Sequence, residues 1–203
     1  MEKKDLLKDV IKHIDIKSYN STELVDAMRN MSFTSRDTAR AADILMMMCK
    51  EKECTNILTL AGSTSAAGCM QVYVDMVRNK MIDVVVATGA SIIDMDLFEA
   101  LGYKHYIGEK ENVIPDTTLR DLYIDRIYDT YIDEEELQAC DHTTFEIANM
   151  LEARPYSSRE FIYEIGKWLH EGHAVKKDSL IQTCYECGVP IFVPAFSDSS
   201  AGF

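Results

Sequence analysis

Residues 56–91 read NILTLAGSTSAAGCMQVYVDMVRNKMIDVVVATGAS, and the spacing of their apolar residues changes along the stretch. NILTL is a short, β-rich apolar run that breaks into a loop of small residues, AGSTSAAG, at 61–68. Within AAGCMQVYVDMVRNK, Met70, Val74 and Val77 recur at helical spacing and predict a helix with one buried stripe. DVVVATGAS then places Val84, Val85 and Val86 side by side, as a strand covered on both faces would, and ends in the loop Ala87–Ser91. Strand, loop, helix, strand and loop in this order predict two parallel neighbours joined by a crossover helix. The expected class is therefore α/β: a parallel sheet flanked by helices.

Directly after this stretch, IIDMDLFEALG predicts a further helix closed by Gly102. Upstream, LLKDVIKHI (6–14), STELVDAMRNM with Ser21 as its N-cap, and TSRDTARAADILMMMCKE from Thr34 or Ser35 read as an N-terminal helical segment. ILMMMC in the last of these is apolar nearly all round and predicts cover on most sides. Downstream, residues 103–132 read as a loop followed by a short strand or helix around LYIDRIYDTYI. Three helices follow, one capped by Asp133, one opening at Ser157 or Ser158 and ending at Gly172, and one ending at Gly188. An apolar run, Val189 to Phe196, predicts the last strand. Neither a repeat nor a low-complexity linker interrupts the chain, so the expected division into 1–55, helical, and 56–203, sheet-bearing, lies within one structural domain.

The 203 residues carry 34 acidic and 21 basic side chains, a net charge of −13, which disfavours nucleic acid as a partner. The same charge suits a cationic small molecule or a basic protein, and equally a merely solvated surface. No apolar stretch of about 18 residues occurs, so no membrane span is expected. Cys49, Cys54, Cys69, Cys140, Cys184 and Cys187 lack the spacing of a disulfide framework, and a reducing cytoplasmic setting is expected. His105, His142 and His173 are scattered, and no metal site is expected. The single C-x-x-C, Cys184–Cys187, closes a predicted helix rather than opening one, where a redox pair would gain its reactivity. Trp168, with Phe161, Ile165 and Leu169, is expected in the core.

Three predicted strands end in loops of small and polar residues: 61–68, 87–91 and 197–202. In a parallel sheet all three fall on one rim, where glycine admits a close backbone approach and a helix N-terminus favours an anion. Together they suit a dinucleotide or another phosphorylated ligand, although small residues also make tight turns for their own sake. Neither a P-loop nor a G-x-G-x-x-G fingerprint is present. Asp94 and Asp96 lie just past the second loop, where two carboxylates can bind an ammonium group or simply cap a helix.

LTLAGSTSAAG (58–68), VVVATGASIIDMDLFEALGYKHYIG (84–108) and GVPIFVPAFSDSSAGF (188–203) follow one another as they do in the deoxyhypusine synthase family. The chain resembles the bacterial branch of that family, the deoxyhypusine synthase-like and homospermidine-forming proteins, along nearly its whole length. The resemblance implies a Rossmann-like α/β fold and an NAD-dependent aminobutyl transferase that acts on spermidine and assembles as an oligomer. Its acceptor would be a lysine of translation factor 5A or putrescine. It assigns NAD to Gly62, Ser63, Thr64, Ser65 and Ala66, to Thr88, Gly89 and Ala90, and to Asp198. It assigns spermidine to Asp94, and Asp96 is expected at the substrate from the two-carboxylate reading above. Two departures from the eukaryotic enzymes, Met95 and Phe203 where those carry acids, weaken a deoxyhypusine assignment more than a general polyamine one. Family members also carry a catalytic lysine in a segment this sequence does not match, so the chain is expected to be inactive alone. On that reading it is part of a split enzyme paired with a C-terminal half, or else a non-catalytic subunit of a full-length paralogue, or a decayed fragment.

Overall fold

A computed structural model describes residues 1–109 and 113–202. Strand β1 (Ile57–Leu60) and strand β2 (Val84–Ala87) pair in parallel, Ile57 opposite Val84 and Leu60 opposite Ala87. Helix α4 (Met70–Arg78) joins them. The last strand of the chain, β6 (Ile191–Phe192), lies parallel on the other side of β2, giving the order β1-β2-β6. The sheet is the expected parallel one, flanked by helices. β6 is shorter than the expected 189–196 run, and among the described residues it pairs with β2 alone.

Of the valines in β2, Val85 lies on the buried face with Ala87, while Val84 and Val86 on the other face are half-buried. Val85 and Ala87 are buried and share a core with Met70, Val74 and Val77 from α4 and with Ile92, Ile93, Leu97 and Phe98 from the segment after β2. The helical stripe read from residues 70–77 therefore faces the sheet. Helices α7 (Glu134–Met150), α8 (Ser158–Trp168) and α9 (Leu180–Cys187) supply Cys140, Ile147, Ile162, Ile165, Leu180 and Ile181 to the same core. Their ends are where the capping residues predict. Asp133 accepts from the N–H groups of Glu135 and Glu136, Ser157 forms a reciprocal box with Glu160, and Gly188 ends α9 in the left-handed conformation. Trp168 packs at the core's margin, its ring stacked on His173 at 4.2 Å.

Two expectations are corrected. Residues 6–14 do not form one helix: α1 spans only Lys3–Leu6, and the chain then runs extended beside strand β3 (His105–Ile107). The Ile11 N–H donates to the His105 carbonyl, the Ile107 N–H to that of Asp9, and Val10 bridges Tyr106. Those backbone bonds outweigh a periodicity too short to hold a helix alone. The ILMMMC turn is not covered on most sides. Helix α3 (Phe33–Lys50) packs on α2 (Thr22–Met28), but within α3 only Ala39 is buried, and Met47 is 61% exposed.

The least legible stretch contains a second sheet. Antiparallel β3, β4 (Ile124–Ile127) and β5 (Thr130–Asp133) are ordered β3-β5-β4 around a small core of Leu6, Ile114, Leu119, Ile124 and Tyr131. Helix α6 (Asp116–Asp121) precedes β4. Among the described residues, no helix is long and apolar enough to cross a membrane.

Candidate functional site

The loop after β1 turns at Gly62, whose φ of +73° only glycine adopts cheaply, and a Cβ there would meet no atom within 4 Å. Beyond it the chain winds through a π turn, Ser65–Cys69, into α4. The Ser65 hydroxyl points inward onto the Met95 sulfur at 2.9 Å, and Ala66 is buried beneath the loop. Gly62 and Thr64 stay exposed, and Ser63 is half-buried.

The loop after β2 is tied to the first. The Thr88 N–H donates to the Leu60 carbonyl, and Ser91 Oγ donates to the Gly62 carbonyl at 3.2 Å. Thr88 Oγ1 and Ser91 Oγ are 3.0 Å apart. Gly89 presses against the third loop: a Cβ there would sit 2.8 Å from both the Phe196 carbonyl oxygen and the Ser199 Cβ. Backbone contact with no room for a side chain thus joins the second corner to the third, which holds Asp198, an exposed residue. The three small-residue corners converge on one rim of the parallel sheet. Ala90 and Ser63 also line a cavity of about 360 Å³ with Asp94, Met95, Asp125, Arg126 and three apolar neighbours.

Asp94 and Asp96 part company. The segment Ser91–Leu97 is a π turn, which lets a helix absorb one extra residue. Asp94 faces the cavity and the third corner, where the Ser200 N–H and hydroxyl both donate to it, the hydroxyl at 2.8 Å. Burial pushes its carboxyl above the usual range, Ser200 offsets part of that, and the nearby Asp141 adds to it. Asp96 turns the other way and is fully buried. Its two oxygens accept from the N–H groups of Leu180 and Ile181, at 2.8 and 2.7 Å, and so cap α9. Burial raises Asp96 to about 6 against those two bonds. The structure therefore brings Asp94 to the rim with the three corners and does not bring Asp96.

Charged residues of the second sheet escaped the sequence reading. Asp125 lines the cavity and shares a hydrogen bond with Glu134 that, with burial, pushes the Asp125 carboxyl up to about 7. Arg126, beside it, pairs with Asp116 at 2.5 Å. No local motif marks these residues; their strand reaches the rim only through the hairpin. Behind the site, Glu99 collects His13 Nε2 at 2.6 Å, His105 Nδ1 at 2.9 Å and Lys176 Nζ at 2.5 Å. Burial alone would raise the Glu99 carboxyl, but the two imidazoles and the ammonium hold it well below the usual range. The Met70 N–H donates to His13 Nδ1, so His13 Nε2 carries the hydrogen given to Glu99. Cys140 and Cys184 are buried, and burial pushes both thiols up, away from nucleophilic use. Among the described residues, no group of three or more His, Cys, Asp or Glu side chains is placed to hold a metal. Phe203 lies outside the described residues.

The family model described as deoxyhypusine synthase matches residues 23–203. The chain belongs to the deoxyhypusine synthase family. A deoxyhypusine synthase-like protein of Caulobacter vibrioides is 67% identical over 202 residues, covering all of this chain and 54% of that protein. One from Coxiella burnetii is 60% identical over 201 residues, 99% of this chain and 56% of its own length. The chain thus spans about half the length of these relatives. A crystal structure assigned to a deoxyhypusine synthase of Entamoeba histolytica superimposes with a TM-score of 0.60 at 20% identity, over 95% of this chain and 64% of that one. At that identity the likeness speaks for the fold alone, and it agrees with the parallel sheet described above.

Proposed function

We propose that this chain carries the dinucleotide-binding rim and an amine-recognising cavity of a deoxyhypusine synthase-like aminobutyl transferase that uses NAD and spermidine. The observation that carries the reading is the contact of Gly89 with Phe196 and Ser199 together with the bond from Ser91 to Gly62, which brings three small-residue corners to one edge. The residues fit the cofactor. Gly62 opens on free space, and helical turns begin just past the first two corners, offering N–H groups to phosphate oxygens. Asp198, the acidic member of the three corners, suits a ribose hydroxyl better than a phosphate.

In this reading Gly62, Ser63 and Thr64 meet the pyrophosphate, with Ser65 and Ala66 shaping the loop from below. Thr88, Gly89 and Ala90 form the floor between the corners, and Asp198 takes a ribose. When bound, the nicotinamide supplies a hydride acceptor for the oxidation of an amine. Asp94 orients the polyamine by pairing one of its ammonium groups, while Asp125, hydrogen-bonded to Glu134, adds a second acid to the cavity wall. Ile127, Ile132 and Leu137 line the same cavity and suit the methylene stretches between charges. No residue of this chain is assigned to carry the aminobutyl group.

Calorimetric titration of the chain with NAD tests the rim. Saturable binding that Gly62→Val abolishes, in a variant that keeps its helical circular dichroism, supports the reading; no NAD binding by well-folded protein overturns it. Release of 1,3-diaminopropane from spermidine and NAD, assayed with the chain alone and with the remaining part of a close relative added, tests the transferase itself.

A further inference from the structure

Ser200 reaches two carboxylates at once. Its Oγ lies 2.8 Å from Asp94 Oδ1 and 2.5 Å from Asp141 Oδ1, while its backbone N–H points at both Asp94 oxygens from 3.2 and 3.4 Å. A hydroxyl owns one hydrogen and donates it once. It fully satisfies one of these carboxylates; a proton on the other, donated to Oγ, satisfies both and spares two ionised acids from facing each other across one oxygen.

The surroundings favour keeping that proton. From α7, Glu134 adds negative charge near Asp141, the buried Cys140 thiol lies near both Asp141 and Asp94, and His142 lines the groove beside Asp141. From β4, Asp125 and Arg126 share the cavity with Asp94, and Arg126 is already paired with Asp116. From the π turn, Asp96 faces away into its cap on α9. The third corner adds Asp198, which is exposed, and the first corner adds no charged group. Burial pushes both Asp94 and Asp141 above the ordinary carboxyl range. Asp94 opens into the 360 Å³ cavity, whereas Asp141 and Ser200 line a second open groove of about 600 Å³, so the proton has a way to solvent.

We infer that Asp94, Ser200 and Asp141 hold one shared proton in the ligand-free protein, and that a cationic amine entering the cavity displaces it. Ser200 is the positioning residue: it fixes the proton between the two acids and holds Asp94 toward the incoming ammonium. The exchange balances, since one positive charge, R–NH3⁺, enters as one proton leaves to solvent. This rests on the amine reading of the cavity given above. Its consequence is that affinity for the amine rises with pH, by at most about tenfold per unit for one proton, and levels off once the pair is fully ionised.

The test uses the 203-residue chain with carboxyl-labelled aspartate. Carbon NMR without ligand is expected to show one of Asp94 and Asp141 titrating well above about 4, the ordinary aspartate value. Asp141→Asn should bring Asp94 down. Ser200→Ala should alter the paired titration, and Ser200→Thr should restore it. Spermidine titrations in two buffers of different ionisation enthalpy should then report about one proton released per amine bound in the parent and in Ser200→Thr, and about none in Asp141→Asn. Both carboxyls titrating in the ordinary range, or spermidine binding without proton release, overturns the inference and leaves the amine reading standing. A shared proton in a chain that binds no spermidine supports the paired acids and overturns the amine reading instead.

Discussion

Asp94 and Asp96, two residues apart on one π turn, serve opposite sides of it: Asp94 accepts from Ser200 at the rim, and Asp96 accepts from Leu180 and Ile181 in the core. Chemically alike acids thus have separable roles. Asp96→Ala is expected to lower the unfolding free energy by about 2–4 kcal/mol, because two buried N–H groups lose a charged acceptor. Asp94→Asn should stay within about 1 kcal/mol of the parent in urea unfolding while weakening spermidine binding tenfold or more. Equal stability losses in the two variants would contradict the assignment.

Gly89 is the contact on which the rim depends. Gly89→Ala places a methyl group 2.8 Å from the Phe196 carbonyl oxygen and the Ser199 Cβ, both parts of the third corner. Overpacking of this kind costs about 1–3 kcal/mol, and the corners must spread to relieve it. Reduced melting temperature together with lost NAD binding is expected. Gly62→Ala, with open space around its Cβ, should cost only about 1 kcal/mol for its left-handed backbone.

Asp125, hydrogen-bonded to Glu134, makes stability fall as pH rises. With Asp125 pushed up to about 7 in the fold and near 3.9 when unfolded, the native state holds a proton that the unfolded chain has lost across that interval. This contribution is therefore full below about pH 4 and gone once pH passes about 7. Denaturant midpoints measured across that interval should decline less steeply in Asp125→Asn than in the parent.

Glu99 acts with the opposite sign. Its carboxyl is held low in the fold by His105, His13 and Lys176, so it stabilises at neutral pH and the contribution is lost as pH falls below about 4. Glu99→Ala should cost about 3 kcal/mol, since the mostly buried Lys176 ammonium loses its partner. Hydrogen exchange should quicken first at Ile11 and Ile107, whose N–H groups tie the N-terminal segment to β3.

Residues 103–132 explain why part of the fold was hidden. The β4–β5 hairpin turns at Tyr128–Asp129 with Tyr128 at φ +54°, and Tyr123, at the entry to β4, sits at +55°. Turn prediction relies on glycine or asparagine at such angles, and tyrosine gives no signal. Residues 9–11 were misleading for a related reason. Their apolar spacing fits a helix, but partners in β3 nearly a hundred residues away offer an extended backbone its hydrogen bonds. In α3 the apolar ILMMMC turn is genuine, and its exposure reflects which neighbours this chain provides.

The parallel strands, the helix caps at Asp133, Ser157 and Gly188, and the three small-residue corners are legible in the order of residues, because each rests on chemistry confined to a few adjacent positions. That the corners meet through Gly89, that Asp94 faces the rim while Asp96 caps α9, and that Ser200 joins Asp94 to Asp141 emerge only in the folded chain. Those outcomes depend on contacts between residues scores of positions apart. No local pattern encodes them; they arise when the sheet brings its strand ends together and the π turn settles which way each acid faces.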